Sequence, residues 1–194
     1  MDNTISLPKH GRLDCSLCFN SKSSCAQDLG KWKMRKDPGA WGSQAPKYMV
    51  LGFSKGATQA DIYQSGSFDD VAFGGEITRG NLTKILKAVG MLRPNESVSN
   101  RIREGEKEYH FGSLIRCSLS RLDEKESAKK GYSVYKTSGA LITKSFKEIP
   151  EIITRCTNTY LSKIPESVKV IFVLGVTDAY IKGIRDRMNL RRKG

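Results

Sequence analysis

Three of the chain's five cysteines lie close together near its start, at Cys15, Cys18 and Cys25. Disulfide scaffolds are short, secreted and dense in cysteine, whereas this chain has 194 residues, an odd number of cysteines and the polar opening MDNTISLPK. We therefore expect a cytoplasmic protein whose thiols stay reduced. In that setting a C-x-x-C pair such as Cys15 and Cys18 indicates either a metal site or a redox pair.

The two remaining cysteines stand far along the chain, Cys117 after a predicted strand and Cys156 on the apolar face of a predicted helix. A close pair and two distant single cysteines can converge on one centre, and four sulfur ligands suit zinc or an iron–sulfur cluster. Two alternatives remain open. A cysteine on an apolar face is often only a small core residue, and a local zinc site could use Cys15, Cys18, Cys25 and His10.

The charge of the chain points to an anionic partner. Lysine and arginine total 33 against 20 acidic residues, a net charge of +13, and we expect double- or single-stranded DNA as the partner. Trp32 and Trp41, which stand among basic residues such as Lys33 and Arg35, could form a basic-aromatic surface for nucleic acid or clamp the start of the chain onto a sheet. No segment approaches the roughly 20 apolar residues of a membrane span, so we expect no membrane association. We expect a monomer.

The apolar segments of the sequence predict the elements that position these residues. Continuous apolar runs at 47–53, 109–119 and 168–174 are typical of strands covered on both faces. Helical spacing predicts a helix capped by Thr78, and another that Ser145 and Glu148 open as a capping box and that continues to residue 160. A last helix is predicted over 177–188, and a long glycine-rich loop over 54–76.

This alternation of strands and helices predicts an α/β fold with three layers, α/β/α, and a largely parallel central sheet. We expect one domain, residues 1–194. Within it, residues 1–46 form a cysteine-containing N-terminal lead, residues 123–140 a polar insertion and residues 183–194 a basic tail.

The order of these motifs resembles that of the iron–sulfur uracil-DNA glycosylases. The resemblance covers about residues 15–182 and rests on the following segments: Cys15–Cys18, Val50–Gly56, Phe73–Gly75, Ser113–Cys117, Cys156 and Val173–Gly175. It implies a uracil-DNA glycosylase-like fold, binding to DNA and excision of a damaged or deaminated base that is flipped out of the stack.

The resemblance also implies roles for individual residues. A structural 4Fe–4S cluster would be held by four cysteines, with zinc as the alternative: Cys15, Cys18, Cys117 and Cys156. A loop after the first strand would approach the DNA phosphates through Gly52, Ser54, Lys55 and Gly56, although Lys55 could also be an ordinary solvated lysine. The flipped base would contact three residues, with Phe73 stacking on it and Ser113 at the place of a base-reading asparagine: Phe53, Phe73 and Ser113.

The sequence departs from the family pattern at the catalytic positions. Phe53 occupies the place of the loop's acidic residue, and the late histidine motif is not present. The remaining catalytic candidates are Asp61 and His110, and His110 is expected to be a half-buried strand residue. We therefore expect weak or no activity on uracil. The alternatives are a non-catalytic metal-containing nucleic-acid-binding module and an α/β protein that binds a nucleotide or phosphate.

Overall fold

The strands of the chain are divided between two β-sheets. The computed structural model describes residues 6–137, 139–175 and 177–188. The first sheet has five strands in the order β1-β4-β6-β5-β9, and the second has four in the order β2-β3-β7-β8. The strands are β1 (Gly11–Arg12), β2 (Ala26–Leu29), β3 (Trp32–Arg35), β4 (Gly39–Gly42), β5 (Tyr48–Gly52), β6 (Tyr109–Ser113), β7 (Ser118–Leu122), β8 (Tyr135–Lys136) and β9 (Val170–Val173).

Parallel strands form the centre of the first sheet. Val50 of β5 is in register with Phe111 of β6 on one side and with Phe172 of β9 on the other, and both pairings are parallel. This part confirms the mixed α/β class, and each of the three predicted apolar segments contributes one of these strands. The sheet is not largely parallel, however, because β4 is antiparallel to β6 and β1 is antiparallel to β4. These two short strands come from the predicted N-terminal lead.

The second sheet is wholly antiparallel and was not predicted. Its first two strands form a hairpin closed by Gly30, whose φ of 67° suits glycine in a two-residue turn. The segment predicted as one strand over 109–119 is two strands, because the chain turns over residues 114–117 and β7 then joins the second sheet. The predicted polar insertion supplies β8, which pairs with β7.

The helices agree with the prediction best near the end of the chain. They are α1 (Ala57–Ser65), α2 (Phe68–Val71), α3 (Glu76–Ala88), α4 (Glu124–Lys130), α5 (Ala140–Thr143), α6 (Ser145–Glu148), α7 (Pro150–Tyr160) and α8 (Asp178–Met188), with a 3₁₀ turn at Val98–Asn100. Helix α8 lies where it was predicted, whereas α3 is capped by Gly75 rather than Thr78. The predicted loop 54–76 contains α1 and α2. Helix α1 has no apolar periodicity that would predict it, because its only fully buried residue is Ala60.

The predicted capping box is wrong. The Ser145 hydroxyl donates to the carbonyl of Ile142, and the Glu148 carboxylate accepts hydrogen bonds from Arg121. The helix is also interrupted, because Pro150 has no N–H and restricts the residue before it. Helix α7 starts anew with this proline in its first turn.

Two apolar clusters cover the two faces of the central strands. Met49 and Leu51 of β5 belong to a cluster with residues of α7 and α8, and to the same cluster belong side chains of the second sheet such as Met34. Val50, which points to the other face, belongs to a cluster with residues of α2 and α3. The alternation along β5 thus places helices on both faces of the parallel strands.

Candidate metal centre and its surroundings

Four of the five cysteines line one cavity. Cys15 and Cys18 come from the segment after β1, Cys117 from the turn between β6 and β7, and Cys156 from α7. The backbone N–H of Arg116 donates to the Cys156 sulfur at 3.2 Å. The structure therefore places the four cysteines that the sequence selected as metal ligands around one cavity. Apolar side chains such as Met34 also line it, together with four polar or aromatic residues: Arg116, Arg155, Thr159 and Tyr160.

The residues of the alternative local zinc site are not brought together. Cys25 is exposed, and its thiol donates to the carbonyl of Ser23 at 3.7 Å. The His10 ring is engaged elsewhere, because Nδ1 accepts from the Gly42 N–H at 3.2 Å and Nε2 lies 3.0 Å from Asp69 Oδ1. Among the residues that the structure describes, no group of three or more His, Cys, Asp or Glu side chains is placed to hold a single metal ion, and this finding includes the four cysteines of the cavity.

The thiols around the cavity hold their protons strongly. Burial raises the pKa of Cys117 to about 12 and that of Cys156 to about 11. The pKa of Cys18 is also raised, first by burial and then by the neighbouring Cys15. A reactive redox cysteine has a lowered pKa, so the raised pKa of Cys18 disfavours the redox-pair interpretation of the C-x-x-C. Binding of a metal here would release protons from the thiols.

A buried arginine without an anionic partner lines the same cavity. Arg116 is 1 % exposed, and its Nε and Nη1 have no hydrogen-bond partner. Nη2 lies 3.4 Å from Nε2 of His110, a neutral group. Burial lowers the pKa of Arg116 to about 10, which leaves the guanidinium charged at neutral pH. A buried charge without a counter-ion is strongly unfavourable, so this cavity is suited to an anion.

The backbone of β6 makes room for this guanidinium. A Cβ atom at Gly112 would stand 2.0 Å from Arg116 Nη1, so a larger residue here would displace the guanidinium from this position. Arg116 was not predicted as a site residue, although a glycine inside an apolar strand often marks the close approach of another group. Gly112 was the one feature of the sequence that indicated a buried side chain packed against this strand.

The His110 ring lies beside the guanidinium of Arg116 and helps to orient it. It is fully buried rather than half-buried as expected, and its Nδ1 donates to the carbonyl of Ser43 at 2.9 Å. Nε2 is then free to accept from Arg116. Burial, followed by the charge of Arg116, lowers the pKa of His110 to about 3, so the ring is neutral. It is placed to orient a side chain, not to exchange protons with a substrate.

The other catalytic candidate is on the surface. Asp61 lies on α1, where its exposed carboxylate forms an ion pair with Arg35 at 2.8 Å. Asp61 and His110 therefore do not share a site. Neither arrangement provides the buried general base that excision chemistry uses.

Lys55 is a structural lysine in this fold, which corrects both expectations for it. It is buried, donates to the carbonyl of Arg116 and lies 3.5 Å from Asp37 Oδ1. The same carboxylate accepts from the Ser118 N–H at 2.6 Å. Burial lowers the pKa of Lys55. The positive charge of Lys55 partly opposes the effect of burial on Cys117, whose pKa is nevertheless raised. A side chain held in this way does not contact a DNA phosphate.

The rest of the predicted phosphate loop is used internally as well. The carbonyl of Gly52 accepts from the Leu114 N–H at 2.9 Å. Gly56 caps α1 and donates its N–H to Gln59 at 3.0 Å, and the Ser54 hydroxyl is enclosed without a partner. These contacts shape the turn after β5 and offer no row of free donors.

The three residues predicted to bind a base do not face one pocket. Phe53 packs in the cluster with α7 and α8, whereas Phe73 packs on the other face of the sheet, its ring 6.0 Å from that of Phe111. Phe73 also has a φ of 50°, which is strained for a non-glycine residue. The Ser113 hydroxyl is occupied by the carbonyl of Ile115 at 2.7 Å.

The tryptophans act as clamps. Trp32 and Trp41 are buried, and their Nε1 groups donate to Glu148 and to the carbonyl of Phe68. The aromatic half of the expected nucleic-acid surface is therefore wrong, although the neighbouring Lys33 is exposed.

The remaining expectations concern the chain end and the membrane. Residues 183–188 of the predicted basic tail belong to α8, and residues 189–194 lie outside the described part. No described helix has the length and apolar character needed to cross a membrane. Comparisons with protein-family models, with curated proteins and with solved structures gave no match to this chain.

Proposed function

We propose that this chain is a DNA-binding protein of the uracil-DNA glycosylase-like type that holds a 4Fe–4S cluster. The cluster ligands are Cys15, Cys18, Cys117 and Cys156. The observation that carries the proposal is the cavity itself, where these four cysteines surround a space that a buried, unpartnered Arg116 also lines.

The side chains present fit such a group. Four thiolates give an iron–sulfur cluster its usual ligand set, and the bound group would carry a net negative charge. Arg116 supplies the opposite charge next to it, and the Arg116 N–H already donates to the Cys156 sulfur. Hydrogen bonds and charges of this kind around the sulfurs are what tune a metal site.

The role of the cluster would be structural. Its ligands come from the segment after β1, from the β6–β7 turn and from α7, so that one group would tie three distant parts of the chain together. The cluster would supply cross-linking of the fold. The chain's own residues would orient it, exclude water with apolar walls and balance its charge.

The DNA-binding part of the proposal is supported by the net charge of +13. Base excision by these residues is not part of it, because Asp61 is exposed and ion-paired while His110 is neutral and enclosed. We expect no release of uracil from a uracil-containing oligonucleotide above the background, measured as strand cleavage in alkali. Efficient excision would show that other residues supply the chemistry.

The cluster is tested by visible absorption of protein purified without oxygen. The wild type is expected to show the broad charge-transfer bands of an iron–sulfur protein, and Cys156→Ser is expected to lose them. Cys25→Ser is the matched control, because Cys25 is exposed and does not line the cavity. A colourless wild-type protein, or a coloured Cys156→Ser variant, would contradict the proposal.

A further inference from the structure

The second sheet has one face buried in the core and one face that remains open. Side chains directly opposite in antiparallel strands point to the same face. Lys33 is opposite Asp28 on one side and Ser120 on the other. Trp32 and Met34, which alternate with Lys33 along β3, point into the core.

The open face forms one wall of a groove, and helix α1 forms the other wall. The groove has a volume of about 410 Å³. Its lining combines two cations, small residues and one aromatic ring, contributed by β2, β3, β7, α1 and the β8 segment: Ala26, Lys33, Arg35, Ala57, Ala60, Ser118, Ser120, Tyr135 and Thr137. Asp28, which is opposite Lys33, is also part of this lining, and Asp61 is paired with Arg35, so each of the two cations has an acidic neighbour.

Lys33 and the ring of Tyr135 are close enough to act together. Lys33 Nζ lies 4.6 Å from the centroid of the Tyr135 ring. Arg35 is the next outward-pointing residue of β3, so the two positive charges follow the strand direction. Small side chains such as Ala26 and Ser120 leave space above the sheet next to the two cations.

We propose that this groove binds a segment of single-stranded DNA, with Lys33 and Arg35 at successive phosphates and Tyr135 stacked on a base. The inference rests on the DNA binding proposed above and gives it a location. Grooves that combine a track of positive charge with an aromatic platform are typical of proteins that bind single strands. A ring can stack only on a base that is not already stacked in a duplex.

The ion pair between Arg35 and Asp61 would compete with a DNA phosphate for Arg35. Arg35 is paired with Asp61 of α1, and both side chains are about half exposed or more. Exposed pairs of this kind contribute little to stability, so a phosphate can replace the carboxylate. The competing negative charge makes a distinctive prediction, because removal of the Asp61 charge should tighten binding.

The test is fluorescence anisotropy with a labelled single-stranded oligothymidylate of about ten nucleotides, a length within the site sizes of single-strand-binding grooves. Tyr135→Ala is expected to weaken binding by about tenfold through lost stacking, and Tyr135→Phe to keep the affinity. Lys33→Ala is expected to weaken binding and to reduce the slope of log K against log salt by about 0.7, the value of one phosphate contact on a single strand. Asp61→Asn is expected to bind more tightly than the wild type.

Lys163→Ala is the charge-matched control, because Lys163 is exposed and does not line the groove. Its affinity is expected to stay close to that of the wild type. An equal loss in Lys163→Ala and Lys33→Ala would mean that only the overall charge matters and would overturn the groove. Ser118 lines the groove and is next in sequence to Cys117, a proposed cluster ligand. The visible absorption of each variant therefore serves as a check that the substitution has left the metal site intact.

The two proposals fail in different ways. Binding of single strands by the wild type with unchanged affinity in Lys33→Ala and Tyr135→Ala would refute the groove and leave DNA binding standing. The absence of salt-dependent binding to any DNA by the wild type would refute DNA binding itself. Tighter binding to a duplex than to the oligothymidylate would also contradict the groove.

Discussion

Replacement of Arg116 by methionine should shift the stability of the metal-free and the metal-loaded protein in opposite directions. The guanidinium is 1 % exposed, and two of its nitrogens have no partner among the chain's own groups. The raised pKa values of Cys117 and Cys156 mean that the nearby thiols are neutral and cannot balance it. In a cluster-loaded protein the same charge would face an anionic group.

The magnitudes follow from the burial. Exchange of an uncompensated buried ion for an apolar side chain of similar size should stabilise the metal-free protein by about 1–4 kcal/mol. Loss of one partner of a buried pair should destabilise the loaded protein by about 3–5 kcal/mol. Part of the first gain is offset because His110 Nε2 loses the group that donates to it.

The assay is urea unfolding of both forms without oxygen, with the transition midpoints compared. Arg121→Met is the matched control, because Arg121 is also buried but is already paired with Glu148 through two contacts of 2.8 Å. It is expected to destabilise both forms alike. If Arg116→Met lowered the midpoint of the metal-free protein as much as Arg121→Met, the argument that the cavity requires an anion would be refuted.

Three further predictions concern the groups around Arg116. Gly112→Ala places a Cβ atom 2.0 Å from Arg116 Nη1, so it should destabilise the fold by about 1–3 kcal/mol and reduce the metal content, measured by urea unfolding and elemental analysis. The pKa of His110 is about 3 when folded and ordinarily 6.5, so between these pH values only the unfolded chain binds the proton. Stability should therefore fall as the pH is lowered through this window, by at most about 1.4 kcal/mol per pH unit, and His110→Gln should show a shallower fall. Lys55→Met leaves Asp37 buried without its cation and should cost about 3–5 kcal/mol in urea unfolding, whereas no change would mean that the ion pair is not formed.

The parallel strands were predictable because their residues are apolar without interruption. Segments such as β5 are buried on both faces, and burial of that kind leaves a visible signature in the sequence. The second sheet has no such signature. Its strand β3 alternates buried and exposed residues over only four positions, and its pairing with β7 joins segments more than eighty residues apart.

The site was predictable only in part. The four cysteines could be selected because the order of the motifs resembles a known family, and their side chains do line one cavity. The burial of Lys55 could not be read from its neighbours, because its partner Asp37 is distant in sequence and lies in a different segment. Phe53 and Phe73 were predicted to meet at a base. Instead Phe53, just after β5, packs with α7 and α8, whereas Phe73, between α2 and α3, packs on the other face of the sheet.

The central claim is that the four-cysteine cavity holds an anionic iron–sulfur cluster, and the most direct test is the iron and acid-labile sulfide content per chain. Protein purified without oxygen should contain about four iron and four sulfide per chain, as a 4Fe–4S cluster requires. Cys117→Ser should lose both, and Cys25→Ser should keep both. One zinc per chain without sulfide, or iron and sulfide retained in full by Cys117→Ser, would contradict the claim.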